Sequence, residues 1–123
     1  MKNILKRTKL NYLNKLLEKA LSYIDNSEFE EAIEFYNDIN ETYKLIRSKE
    51  KTAGLIRSFN MYNNAMEVYI GLKEALILAK YHDMDALKHR LDFIWGLKDN
   101  MINIPSLRNY LETNYKYCMD VYL

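Results

Sequence analysis

The sequence predicts an all-α protein, an array of about five antiparallel helices with a long central helix over residues 51–80. Apolar residues recur at intervals of three and four along most of the 123 residues, which is the periodicity of amphipathic helices. The chain has three glycines and one proline, too few for the many turns of an all-β protein. Because 123 residues suit one hydrophobic core, we expect residues 1–123 to form a single domain.

The first two predicted helices cover about 3–25 and 28–48. The apolar stripe of the first consists of Ile4, Leu5, Tyr12, Leu13, Leu16, Leu17, Ala20 and Ile24. The seam of the second consists of Phe29, Ala32, Ile33, Tyr36, Ile39, Tyr43 and Ile46. The polar residues 25–27 separate the two helices. Ser27 and Glu30 have the spacing of a capping box, and Asp25 or Asn26 could also cap the second helix.

The central helix, about 51–80, has two apolar stripes. One consists of Ile56, Phe59, Tyr62, Met66, Tyr69, Ile70, Leu76 and Ile77. The other consists of Met61, Ala65, Val68, Leu72, Ala75 and Ala79. A helix that is apolar on two faces needs packing partners on both. Its length of about 45 Å leaves open a bend or break at Gly71 or within 58–60.

Two further helices complete the predicted array. Asp83 is positioned to cap a fourth helix over about 84–98, whose seam consists of Met84, Leu87, Leu91, Ile94 and Trp95. Pro105 opens a fifth helix over about 105–121, where its missing N–H costs nothing. We expect the fifth helix to pack through Leu107, Tyr110, Leu111, Cys118 and Val121.

The stretch YIDNSEFEEAIEFY, residues 23–36, resembles the centre of a tetratricopeptide repeat. The positions that match the family's small and aromatic residues are Ala20, Tyr23, Phe29, Ala32 and Tyr36. A weaker second copy begins at Tyr62, 33 residues after Phe29. The resemblance covers one hairpin, about 12–46. It departs from the family at Ile39, where a small residue is expected, and no proline follows either copy.

The resemblance implies a small scaffold or adaptor that mediates protein–protein interaction, with no catalytic activity and no cofactor. By the family's geometry, Asn14, Leu17 and Leu21 would line a shallow groove for a partner whose identity stays open. About three repeats are normally needed to bury such a core, and this chain offers at most two or three imperfect ones. A homodimer through the first or last helix would cover the remaining apolar surface.

Charge is segregated along the chain although the net charge is +1. Residues 1–17 carry basic side chains and no acid, whereas residues 25–41 carry seven acids and no base. Attraction between oppositely charged helices within the molecule is one interpretation. The alternative function is a nucleic-acid-associated accessory protein whose first helix contacts phosphate. The candidate phosphate contacts are Lys2, Lys6, Arg7 and Lys9.

A search for catalytic chemistry gives one weak candidate. Glu30, Glu34 and Asp38 are spaced by four on one helix face and would serve a metal-dependent enzyme, which is the third function considered. The two histidines, His82 and His89, do not have the spacing of a zinc or di-iron helix signature. We therefore predict no catalytic residue, metal site or cofactor.

The sequence also bears on location. No stretch of about 18 uncharged apolar residues occurs, which predicts no membrane span. The first dozen residues lack the apolar core of a signal peptide. A single cysteine fits a reducing compartment, so we expect a cytoplasmic protein.

Overall fold

A computed structural model describes the backbone of residues 2–97 and 104–122 and the side chains of residues 8–97 and 104–121. The helices in these ranges are α1 (Lys2–Asp25), α2 (Phe29–Ile33), α3 (Tyr36–Leu45), α4 (Ala53–Lys80), α5 (Met84–Gly96) and α6 (Pro105–Tyr122). A short 3-10 helix, Ser48–Glu50, lies between α3 and α4. No strand occurs in the described ranges, so the all-α prediction is confirmed.

The chain divides into two compact units, Met1–Asn63 and Asn64–Leu123, and the boundary between them lies within α4. The first unit contains α1, α2, α3 and the beginning of α4. The second contains the rest of α4 together with α5 and α6. The prediction of a single domain over 1–123 stays a prediction.

In the first unit, α1 packs against α2 and α3. The buried residues of these helices repeat at three and four positions, and they are Leu13, Leu17, Ala20, Ile24, Phe29, Ala32 and Ile39. Tyr12 is 48% exposed, so its assignment to the buried stripe is wrong. The core seam runs through Leu13, and a neighbouring position points about 100° away from it on a helix.

The predicted helix over 28–48 is interrupted at Glu34 and Phe35 and forms α2 and α3 instead. In an unbroken helix, the Ala32 carbonyl oxygen would accept from the Tyr36 N–H. Here it accepts from the Tyr62 hydroxyl at 2.7 Å and from the Phe35 N–H at 3.3 Å. A side chain inserted into the hydrogen-bond ladder is a known cause of such a break.

Helices α1 and α4 end in the same kind of turn. Ser27 and His82 have left-handed backbones, with φ of 62° and 58°. The following N–H groups of Glu28 and Asp83 bond back to carbonyls five residues earlier, which is the Schellman arrangement. Ser27 therefore ends α1, and the predicted capping box is wrong because Glu28 holds the cap position. Asp83 does cap α5, since its side chain accepts from the Ala86 N–H at 3.3 Å.

Helix α4 is continuous from Ala53 to Lys80, so it breaks neither within 58–60 nor at Gly71, the two places that the sequence leaves open. A Cβ placed on Gly71 would lie 2.9 Å from the Ile94 side chain, so the glycine permits α4 and α5 to approach closely. Trp95 stacks on Tyr115 with ring centroids 4.1 Å apart. Val121 is 55% exposed, which contradicts its predicted packing, because the buried seam of α6 ends one turn earlier at Cys118.

The two predicted stripes of α4 differ in burial. Five of the six residues of the second stripe are fully buried, namely Ala65, Val68, Leu72, Ala75 and Ala79, and the sixth, Met61, is half-buried. The first stripe contains buried residues, Tyr62, Met66 and Tyr69, half-buried residues, Phe59 and Leu76, and exposed residues, Ile56, Ile70 and Ile77. The stretch 62–69, the weaker tetratricopeptide copy, lies inside α4 and contains no turn.

Candidate functional site

The three predicted partner-binding residues of α1 differ in their exposure to solvent. Leu17 is 2% exposed and belongs to the core, because it continues the seam of Leu13 and Ala20. Asn14 is exposed and Leu21 is half-buried. A partner that docks on this structure can therefore reach Asn14 and Leu21 but not Leu17.

The predicted phosphate contacts lie at the start of α1. The side chains of Lys2, Lys6 and Arg7 lie outside the described residues, and Lys9 is exposed. The exposed ring of Tyr12 lies three residues after Lys9 on the same helix.

The acidic residues proposed for metal chemistry are divided by the break between α2 and α3. Glu30 lies in α2, Glu34 lies in the turn and Asp38 lies in α3. All three are exposed. Among the described residues, no group of three His, Cys, Asp or Glu side chains is arranged to hold a metal ion.

A groove of about 600 Å³ lies between α4 and α6 in the second unit. Its lining residues are Leu76, Lys80, Thr113, Asn114 and Tyr117. Helix periodicity accounts for this set, since Leu76 and Lys80 are one turn apart on α4 and Thr113 and Tyr117 are one turn apart on α6. We call this surface the α4–α6 groove.

An aromatic pair joins α4 and α6 about three turns before Lys80. The rings of Tyr69 and Tyr110 have centroids 5.9 Å apart. The ammonium nitrogen of Lys73 lies 4.9 Å from the centre of the Tyr69 ring, a cation–π distance. The aromatic pair thus brings the two helices together beside the α4–α6 groove and holds Lys73 at the surface.

Large apolar side chains of α4, α6 and the turn after α4 stand in solvent. Tyr117, which lines the α4–α6 groove, is 50% exposed. Ile77 and Tyr81, which directly follow the lining residues Leu76 and Lys80, are 55% and 75% exposed. Scattered exposed apolar residues are ordinary, but clustered ones are typical of interaction surfaces.

The lining of the α4–α6 groove carries a basic residue, Lys80, and no acidic one. Two acids of α4 and α6 are engaged elsewhere. Glu74 pairs with Arg90 of α5 at 2.9 Å, and Glu112 pairs with Arg108 within α6 at 3.1 Å. Asp120 is exposed on α6 and does not line the groove. The groove is therefore apolar with a positive edge.

Two other surface depressions are smaller. One of about 400 Å³ on α1 has a mixed lining in which Lys15 and Lys19 stand beside Glu18 and Glu28. Another, of about 470 Å³, is lined by residues of α4 and α5 that include His89, Arg90 and Phe93. Arg90 is already paired with Glu74, so its charge is committed within the protein.

Cys118 does not have the surroundings of a nucleophile. It is fully buried and packs among Ala75, Ala79, Leu87 and Leu91. Burial raises the pKa of its thiol, which favours the unreactive neutral form. The cysteine therefore contributes packing.

In comparisons with known proteins, no family model, curated protein or solved structure matches the chain. The tetratricopeptide resemblance thus stays a prediction that rests on the residues of the hairpin. Inferences about function rest on the geometry of the α4–α6 groove and its surroundings.

Sequence reasoning did not identify Lys80, Thr113 or Tyr117 as site residues. Leu76 and Ile77 belong to a predicted apolar stripe because periodicity distinguishes helix positions only by whether their side chains are apolar or polar. Whether an apolar position is covered depends on which helices pack nearby. The signal that could have suggested the site is that Lys80 and Tyr81 follow one another in the sequence at the end of an apolar helix.

Proposed function

We propose that this protein is a small helical scaffold or adaptor that binds another protein through the α4–α6 groove and performs no catalysis. The observation that carries the proposal is the apolar groove itself, in which the half-exposed ring of Tyr117 and the side chain of Leu76 are open to solvent. Covering apolar surface contributes about 25 cal/mol per Å², so a partner that covers these side chains gains affinity.

The shape of the groove favours a helical partner. Two helices joined side by side leave a channel between them, and an amphipathic helix commonly lays its apolar face into such a channel. Tyr is also a residue type that contributes strongly at interfaces, because it buries a large ring at small entropic cost.

The tetratricopeptide resemblance of residues 12–46 remains part of the proposal. Its support is the contact of α1 with α2, where Ala20 and Ala32 are both fully buried. Small residues at these positions allow two helices to approach closely, as the family requires. A cytoplasmic location belongs to the same proposal and is supported by the free thiol of Cys118.

Affinity purification from the organism that encodes the protein tests the proposal. We compare the wild type with Thr113→Arg, which places a long charged side chain at an exposed lining position. The matched control is Met119→Arg, on the same helix and outside the lining. We expect Thr113→Arg to lose the partner and Met119→Arg to keep it. Retention of the same proteins by Thr113→Arg would contradict the proposal.

Self-association is a related candidate, because α6 exposes Tyr117, Met119 and Val121. A homodimer through the last helix would cover these side chains. Light scattering over a range of concentrations measures the mass directly, and a monomer at every concentration would remove this candidate.

Nucleic-acid binding is the second candidate function, favoured by the exposure of Tyr12 between the basic residues Lys9 and Lys15. An exposed ring beside lysines suits stacking on single-stranded bases. The candidate predicts binding to single-stranded RNA or DNA that falls steeply with salt. Equal binding at low and high salt, or none at low salt, would exclude it.

A further inference from the structure

We infer that residues 44–49, at the end of α3 and the start of the loop that follows it, bind the surface of a membrane that contains anionic phospholipid. We call these six residues the basic segment. The basic segment belongs to the first unit, whereas the α4–α6 groove belongs to the second, so the inference goes beyond the proposed function. It follows from a strongly exposed leucine, the unpaired bases beside it and the packing of the nearby aromatic rings.

Leu45 is the apolar contact of this surface. It is the last residue of α3 and is 64% exposed. The next residue, Ile46, has an extended backbone and is only 5% exposed, so the core takes Ile46 and leaves Leu45 in solvent. A surface that covers Leu45 therefore gains apolar contact without any change in the core.

The basic segment carries three positive charges and no acid. Its bases, all exposed, are Lys44, Arg47 and Lys49. None of them is more than four residues from Leu45, which keeps their backbones within about 15 Å of it. The nearest acids in the sequence are Glu41, one turn earlier on α3, and Glu50, which is half-buried and engaged within the protein. Leu45 is therefore an apolar side chain in a local excess of positive charge.

The three bases do not form a pocket for a single anion. Within the part of the chain that the structure describes, their side chains have no ion pair, hydrogen bond or cation–π contact, whereas the nearby Lys51 lies 3.9 Å from the centre of the Tyr43 ring. A pocket for one carboxylate or phosphate holds its donors in a fixed geometry. Unpaired long side chains instead suit a negative potential spread over an area, which is what an anionic leaflet presents.

The aromatic rings beside the basic segment are already covered, which disfavours nucleic acid as the partner. Tyr43 and Phe59 stack with ring centroids 3.5 Å apart and planes 3° apart. Lys51 lies over the Tyr43 ring as well. Single-stranded nucleic acid is bound largely through bases that stack on accessible rings. The exposed apolar group of the basic segment is aliphatic, and this chemistry suits the acyl chains at a membrane interface.

The apolar and the basic contacts can be made in one orientation. When the end of α3 meets the membrane, Leu45 enters the interface and the long basic side chains keep their charges at the level of the lipid phosphates. Glu41 lies about 6 Å farther along α3, so the membrane meets the bases before this acid. An apolar contact combined with a basic patch gives reversible membrane binding.

Sedimentation of the full-length protein with lipid vesicles tests the inference. We expect binding to vesicles of equal parts phosphatidylserine and phosphatidylcholine, little binding to phosphatidylcholine alone, and a steep decrease with salt. Arg47→Gln should bind about fivefold more weakly, because one base near an anionic surface is lost. Leu45→Ser should bind about three- to tenfold more weakly, because the apolar contact is lost. Glu41→Gln should bind up to about twofold more tightly, because a nearby negative charge is removed.

The matched controls lie in the second unit. Phe93→Ser, at an exposed apolar position of α5, is the control for Leu45→Ser, and Lys116→Gln, at an exposed position of α6, is the control for Arg47→Gln. Both controls should bind vesicles within about twofold of the wild type. Circular dichroism verifies that each variant is folded.

Four results would overturn the inference. They are no sedimentation with phosphatidylserine vesicles at low salt, equal losses in the variants and their controls, competition by soluble glycerophosphoserine, and binding of single-stranded RNA or an acidic protein through Arg47 with no binding to vesicles. Competition by the free headgroup would indicate a pocket for one anion instead of a membrane surface. The proposed function is tested separately, since Thr113→Arg should bind vesicles as the wild type does.

Discussion

At the scale of single residues, Tyr62 connects two parts of the first unit that are distant in the sequence. It is fully buried, and its hydroxyl donates to the Ala32 carbonyl oxygen 30 residues away. Its ring also lies 6.4 Å from that of Tyr36, centroid to centroid. One hydroxyl thereby fixes where α2 ends and how the beginning of α4 packs in the first unit.

We predict that Tyr62→Phe lowers the free energy of unfolding by about 1–2 kcal/mol, because the buried Ala32 carbonyl loses a hydrogen-bond partner while the ring is kept. Urea denaturation monitored by circular dichroism measures the change. The matched control is Tyr12→Phe at an exposed position, expected within about 0.5 kcal/mol of wild type. Equal stability of the two variants would contradict the role given to the Tyr62 hydroxyl.

We also predict that the buried hydroxyl of Tyr62 makes the stability of the protein sensitive to alkali. Burial, with a smaller contribution from Tyr36, raises its pKa above the ordinary value of 10.0. As pH rises, the Tyr62 hydroxyl therefore loses its proton in the unfolded chain before it does so in the folded protein, and this deprotonation favours unfolding. The contribution of Tyr62 to the free energy of unfolding is complete below the pKa that its hydroxyl has in the unfolded chain, and it declines above that pKa. Unfolding measured from about pH 8 to about pH 11 should show a steeper loss in wild type than in Tyr62→Phe.

At the scale of helices, local sequence patterns determine where most helices lie, whereas contacts between distant residues determine the break between α2 and α3 and the exposure of some apolar positions. The positions of α1, α4, α5 and α6 could be predicted because amphipathic periodicity and end residues such as Asp83 and Pro105 are local signals. The break between α2 and α3 could not, because its cause is a hydroxyl on a distant part of the chain. The exposure of Val121 and Ile77 likewise depends on neighbours that periodicity does not reveal.

Gly71 is the position where α4 and α5 are closest to a steric limit. We predict that Gly71→Ala destabilises the protein by about 1–3 kcal/mol, although Ala is the better helix former, because the new methyl group meets Ile94. The free energy of unfolding from urea titration gives the result.

The matched control is Gly54→Ala, in the exposed first turn of α4, where an added Cβ would lie 4.0 Å from the Thr52 hydroxyl oxygen, an ordinary van der Waals contact. Higher helix propensity should make that variant as stable as wild type or more so, by up to about 1 kcal/mol. A stabilising Gly71→Ala would show that Ile94 moves freely and that the close approach is not limiting.

At the scale of the whole molecule, the two units present different surfaces. The first exposes three large apolar side chains of those described, whereas the second exposes seven. The fold class was predictable from composition and periodicity. The position of the exposed apolar surface was not, since the sequence favoured the face of α1 that carries Leu17, and that residue proved to be core.

The α4–α6 groove is the surface at which we propose that a protein partner binds. Site-specific photocrosslinking tests this binding site, with benzoylphenylalanine in place of Tyr117 and, as control, in place of Tyr12, an aromatic residue of nearly equal exposure outside the groove. We expect a defined protein adduct from position 117 in living cells and none from position 12. No adduct from position 117, or the same adduct from both positions, would contradict it.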